Sequence, residues 1–174
     1  MEILWPDRLS IALQAAKGVH FLHQYKPQIL HRDIKSSNFL LEKKHEEYLV
    51  KICDFGLAKT RSETTCQTRN KTTESFTLAW AAPEILKFED YTEKSDIYSL
   101  GIVYWELATS RKPYDGLAPD LITHRVCDGQ RLPIQKIKPS NFDRVIEKCW
   151  AHNPNDRPNS NHLMEMIKDC LQKQ

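Results

Sequence analysis

The sequence predicts a mainly helical α+β body in which a short β-hairpin carries the chemistry. Three observations predict it. Apolar residues recur at helical spacing from position 7 onward, again through 97–108, and again near the C-terminus at Leu163, Ile167, Cys170 and Leu171. Two short stretches read as strands, 39–41 and 48–52. Between the first helix and the first strand lies the turn His31-Arg32-Asp33-Ile34-Lys35-Ser36-Ser37-Asn38, where an acid, a cation and a carboxamide stand close together.

Composition narrows the field. A chain of 174 residues suits one domain or one large lobe. Apolar residues at 40% and charged residues at 28% are ordinary for a soluble globular protein. A net charge of +2 provides no field that would advertise nucleic acid or a membrane surface. Five cysteines, Cys53, Cys66, Cys127, Cys149 and Cys170, are an odd number, widely spaced and without a C-x-x-C pair. That argues for a reducing, cytoplasmic setting rather than a disulfide framework or zinc site. The start of the chain lacks the cationic-then-apolar pattern of a signal peptide. The most apolar segment, 97–108, is too short to span a bilayer.

In order, Leu9, Ala12, Leu13, Ala16 and Val19 form one helical stripe, with Arg8, Gln14 and Lys17 turned outward. Pro6 and Asp7 suit its first turn, and Pro27 ends it. The strands 39–41 and 48–52 are joined by the charged turn Lys43-Lys44-His45-Glu46-Glu47. Then comes Asp54-Phe55-Gly56, where a glycine lets the chain turn away from an aspartate at a strand end. Residues 60–77 are crowded with Thr, Ser, Asn, Gln and charge, and read as a surface loop. Ala82-Pro83-Glu84 restores order, with a short helix at Ile85-Leu86. Ser95 is the expected N-cap of the most hydrophobic helix, 97–108, which should be central and buried. Gly101, costing about 1 kcal/mol in a helix, should admit a close neighbour. Pro113 and Gly116 form a turn, 120–127 a helix, and Ser140-Asn141-Phe142-Asp143 a capping signal for 145–150. Residues 153–158 make a proline-bounded turn before the last amphipathic helix.

The chemistry-bearing residues suit phosphoryl transfer, which depends on positioning and electrostatics. Asp33 would accept a proton from a hydroxyl, Lys35 would neutralise charge on the phosphoryl group, and the Asn38 oxygen would hold a divalent ion. Asp54 and Asn38 would converge on one magnesium site. A metal-dependent hydrolase using His31, Asp33 and Asp54 is an alternative, one that leaves Ala82-Pro83-Glu84 and Arg157 unexplained.

The spacing H-R-D-x-K-x-x-N, followed by D-F-G and A-P-E, resembles the eukaryotic protein kinase family. The resemblance is greatest to the tyrosine-kinase-like group of serine/threonine kinases. It covers essentially the whole chain, 1–174, but only the C-terminal lobe of that fold, with catalytic loop 31–38 and activation segment 54–84. It implies Asp33 and Lys35 as catalytic residues and Lys35, Asn38, Leu40, Cys53 and Asp54 as ATP-site residues. Asn38 and Asp54 are the implied Mg2+ ligands. Leu40 would floor the adenine pocket and Cys53 line its back, and ordinary core packing accounts for both residues as well. The resemblance further implies a His31–Phe55 stack, a buried Glu84–Arg157 ion pair, and Asp96 bonded to the loop backbone. Lys35 and Thr77 match the serine/threonine type, so the implied partner is a protein substrate with a Ser or Thr hydroxyl.

Arg32 beside Asp33 suggests a phosphate switch on the loop, set by an upstream kinase or by autophosphorylation. Its candidates are Thr64, Thr65, Thr68, Thr72, Thr73 and Ser75. No G-x-G-x-x-G loop or strand lysine precedes the first helix, so the N-terminal lobe is expected to be absent and turnover by the isolated chain poor. A pseudokinase-like or truncated interaction module is the alternative function.

Overall fold

A computed structural model describes residues 3–45, 47–60, 78–137 and 140–173. The expected phosphate-acceptor residues at 64–75, together with Phe76, Thr77 and Cys66, lie outside these.

Helix α1 (Trp5–Gln24) begins at the Trp5-Pro6 step, where a proline forfeits no helical hydrogen bond. Leu9, Ala12, Ala16 and Val19 are fully buried, and Lys17 is exposed, as their spacing predicts. Arg8 and Gln14 do not point to solvent. Arg8 is buried, and its guanidinium donates to the carbonyls of Leu107 (2.6 Å) and Ala108 (3.1 Å), with Nε on Ile3 O (2.9 Å). It thereby satisfies carbonyls in the last turn of a distant helix, where a cation also complements the helix dipole. Gln14 donates to Tyr48 O (2.7 Å) and accepts from Val50 N (3.1 Å), and so acts as a strand partner for the hairpin edge.

Strand β1 (Ile29–Leu30) follows, then β2 (Phe39–Lys44) and β3 (Glu47–Ile52), then β4 (Lys59–Thr60). β2 and β3 pair antiparallel from Phe39↔Ile52 to Lys44↔Glu47. The charged turn expected over 43–47 is therefore mostly strand, and only two residues lie between the paired ends. His45 takes φ 53°, the left-handed geometry that tight hairpins demand. Lys43, Lys44 and Glu47 are tolerated in strands because their side chains are exposed. β1 and β4 form a second two-residue ladder, too short to leave a periodic signal.

Helices α2 (Pro83–Leu86), α3 (Glu93–Thr109), α4 (Pro119–Cys127), α5 (Phe142–Cys149) and α6 (Ser160–Gln172) complete the body. α3 is the buried centre, with Ile97, Tyr98, Leu100, Ile102 and Tyr104 fully enclosed. Its N-cap is Thr92, not Ser95. Thr92 accepts from Lys94 N, and Ser95 at N3 accepts from Thr92 N, a reciprocal capping box with serine where Glu or Gln is usual. A Cβ on Gly101 would lie 2.6 Å from Cys149 Cβ, so the glycine sets how closely α3 and α5 pack.

α5 starts at Phe142, earlier than expected. Asn141 does not cap it through its side chain but sits at φ 57°. Asp143 instead reaches back to accept from Ile137 N at 3.1 Å. α6 is capped by Asn159, which accepts from His162 N (2.8 Å), and buries Leu163, Ile167 and Cys170. No helix among the described residues is long and apolar enough to cross a membrane.

Candidate active site

α1 and β1 deliver the chain to residue 31, where α3 takes hold of it. Asp96, in the first turn of α3 and fully buried, accepts from four donors: His31 N (3.0 Å), Arg32 N (3.1 Å), His23 Nε2 (2.9 Å) and Tyr91 Oη (2.6 Å). Burial alone would raise the Asp96 pKa. The bonds from His23, Tyr91 and the His31 backbone outweigh it and hold the carboxyl below its ordinary value. Burial, reinforced by Asp96, drives the Tyr91 phenol far up, so it remains a donor. Arg32 is held at φ 69°, and its guanidinium lies 5.5 Å from the Tyr91 ring centroid.

Asp33 is 7% exposed. Its Oδ2 is pinned by Lys35 Nζ (2.8 Å) and by Asn38 Nδ2 (3.1 Å), which also donates to Asp33 O (2.7 Å). Its Oδ1 is buried and has no hydrogen-bond partner among the described residues. A carboxylate with one oxygen committed and the other vacant is ready to receive a proton along a defined direction.

Asn38 closes a single 3-10 turn, Ser36–Asn38, and couples the loop to the hairpin. Cys53 N donates to Asn38 O (2.9 Å), and Cys53 Sγ lies 3.3 Å from the same oxygen. Cys53 O pairs with His31 Nε2 at 3.1 Å, and the His31 and Phe55 rings lie 5.4 Å apart, as the resemblance implies. These bonds hold both flanks of Asp54, which is exposed at φ 63° with Oδ1 accepting from Gly56 N (3.3 Å). Thus Asp33, Lys35 and Asn38 touch directly, whereas Asp54 joins them through the backbone of Cys53. Leu40 is 57% exposed, which rules out core packing for it, and Cys53 is half-buried.

No group of three or more His, Cys, Asp or Glu side chains among the described residues forms a metal cluster. The donors available at the loop are the Asn38 amide oxygen, whose nitrogen is spent on Asp33, and the Asp54 carboxylate. Both are hard oxygens of the kind magnesium takes together with waters and phosphates. An apolar hollow of about 590 Å³ is lined by Phe39, Leu41, Val103 and Leu107, and not by Asp33 or Asp54.

Two further couplings escape sequence reasoning. Ser36 Oγ and Trp80 Nε1 donate to the two oxygens of Glu106 (3.0 and 2.8 Å), and burial raises the Glu106 pKa against the pull of those bonds. His23 continues the α1 stripe from Val19, a signal for burial that carries no hint of Asp96. The Glu84–Arg157 pair that the resemblance implies is present and bidentate at 2.6 and 2.9 Å, and Ser95 Oγ adds a third bond at 2.8 Å. Burial pushes the Glu84 pKa up, but Arg157 prevails and lowers it.

The family model for protein tyrosine and serine/threonine kinases matches residues 1–167. The chain is 38% identical over 167 residues to the Arabidopsis thaliana serine/threonine-protein kinase CTR1, covering 94% of this chain and 19% of that protein. It is 35% identical over 171 residues to a Dictyostelium discoideum protein named probable serine/threonine-protein kinase drkD, covering 98% and 13%. A second Dictyostelium discoideum protein, named probable serine/threonine-protein kinase drkC, is 38% identical over 165 residues, covering 94% and 22%. The chain therefore spans less than a quarter of each of these relatives. With the H-R-D-x-K-x-x-N loop bonded to α3, the A-P-E glutamate locked on Arg157 and the family match over nearly the full length, the chain belongs to the protein tyrosine and serine/threonine kinase family.

Proposed function

We propose that this chain is the catalytic-loop half of a protein serine/threonine kinase domain, which moves the terminal phosphoryl group of ATP to a protein hydroxyl. The observation that carries the reading is the vacant, buried Oδ1 of Asp33, whose partner oxygen Lys35 and Asn38 hold in place. Asp33 takes the proton of the substrate Ser or Thr hydroxyl as that oxygen attacks phosphorus. Lys35, a cation 2.8 Å from Asp33, stands where it can offset phosphoryl charge while keeping the carboxylate oriented. Asn38 and Asp54 would hold Mg2+, which when bound neutralises charge on the phosphate oxygens. Leu40 and Cys53 lie beside the loop as the adenine-side surface. Arg32, stacked on Tyr91, is the group that a loop phosphate would engage. The serine/threonine preference rests on Lys35 and on the names of the relatives, and the thiols of Cys53, Cys127, Cys149 and Cys170 favour a reducing, intracellular setting.

A non-catalytic interaction module is the second reading, favoured by the exposed apolar side chains of Leu40, Leu41, Phe55 and Leu57. ATP titration with and without magnesium, paired with a phosphotransfer assay, separates the two. Asp54→Asn should abolish the magnesium-dependent part of ATP binding. Asp33→Asn should keep that binding and lower transfer by about 10²–10⁴-fold. Magnesium-independent binding, or transfer by Asp33→Asn at the unmutated rate, would overturn the proposal.

A further inference from the structure

Past the end of α3, the chain leaves a hollow of about 290 Å³ against α4. Its lining shares no residue with the catalytic loop or the hairpin. Four cations, Arg111, Lys112, Arg125 and Arg131, border it with a single carboxylate, Asp115. None of these five takes part in an ion pair among the described residues. Arg131 is nonetheless immobile: Nε donates to Trp150 O (2.9 Å), Nη1 to Val126 O (3.1 Å) and Gln130 O (2.9 Å), and the guanidinium lies 5.2 Å from the Tyr98 ring. Such an excess of unpaired positive charge around one concavity is costly unless an anion shares it.

A second observation points the same way. Tyr114 lines the hollow, is 7% exposed, and sits at φ 53°, a backbone geometry that a bulky residue rarely adopts. Its hydroxyl is enclosed rather than open to the hollow, and it interacts with the buried hydroxyl of Tyr98. Burial keeps the Tyr114 phenol protonated against the pull of Arg131, the Tyr98 hydroxyl and Arg125, so it adds no negative charge to offset the cations.

We propose that this hollow binds a phosphate monoester. A doubly charged tetrahedral oxyanion matches the forked guanidinium of Arg125 and the fixed charge of Arg131. The volume is at the small end for ligand sites, enough for a phosphate head and a few carbons but not for a nucleotide. Trp105 and Leu132 provide apolar wall for those carbons.

The test titrates the 174-residue chain with inorganic phosphate and with O-phosphoserine, against sodium chloride of equal ionic strength. The Trp105 indole N–H resonance and the melting temperature are followed. Saturable, phosphate-specific shifts are expected, weakened about tenfold by Arg125→Gln, the loss of one charge-assisted bond. Tighter binding of O-phosphoserine than of inorganic phosphate identifies a phosphorylated side chain as the ligand, and equal binding identifies the free ion. Shifts that chloride reproduces, or an Arg125→Gln chain that folds and binds like the unmutated one, would overturn the proposal.

Discussion

Replacing Glu84 with glutamine isolates what the buried ion pair contributes. Arg157 is 2% exposed and spends its donors on Glu84 Oε1 and Oε2, Ala151 O, Lys94 O and His152 O. Glu84→Gln preserves size and one acceptor but leaves a guanidinium in the interior without a counter-charge. Breaking such a pair from one side costs about 3–5 kcal/mol, about a fifth or more of the roughly 5–15 kcal/mol a domain typically has. At about 2–4 °C per kcal/mol for a chain of this size, the melting temperature should fall by about 6–20 °C. The pH dependence is the sharper test. Glu84 has a folded pKa below its ordinary 4.5, so its contribution is fully present above that value and is lost as pH falls through the lower folded pKa. Urea unfolding at pH 7 and at successive steps below 4.5 should show the gap between the two chains narrowing with acid. A gap of less than about 1 kcal/mol at neutral pH, the size of a surface pair, or one that acid leaves unchanged, would refute the reasoning.

Two more substitutions probe how α3 organises the body. Gly101→Ala improves helix propensity by about 1 kcal/mol. It also forces a carbon to 2.6 Å from Cys149 Cβ, and overpacking costs about 1–3 kcal/mol. The urea midpoint should therefore stay level or fall, and a rise would show that α3 and α5 can separate freely. Asp96→Asn keeps the shape but replaces one accepting oxygen with a donor. It should cost at least about 2 kcal/mol and speed amide exchange at His31 and Arg32, and unchanged exchange there would remove Asp96 as the loop's anchor.

The candidate active-site loop was legible because its members lie within a few residues of one another. Asp33, Lys35 and Asn38 fall on one tight turn, and local spacing suffices to place them. Leu40 was legible in position but not in environment, since a strand residue's face depends on what lies across it. Arg8 and Gln14 were misread for the same reason. Their helical positions are polar, but their partners, Leu107, Ala108, Tyr48 and Val50, come from other elements. The shift of the α3 cap from Ser95 to Thr92 has another cause: Ser95 also serves Glu84, so its hydroxyl fits N3 better than the cap itself.

Sequence by itself determined the helical periods, the hairpin, and the order of acid, cation and amide, because propensity, turn geometry and short spacing act locally along the chain. Tertiary structure alone decided that His23, Tyr91 and two backbone amides meet on Asp96, that Trp80 and Ser36 share Glu106, and that Arg125 and Arg131 line one hollow with Tyr114. Those partners are brought together by burial, which forces every enclosed polar group to find another, and which one it finds depends on packing rather than on distance along the chain.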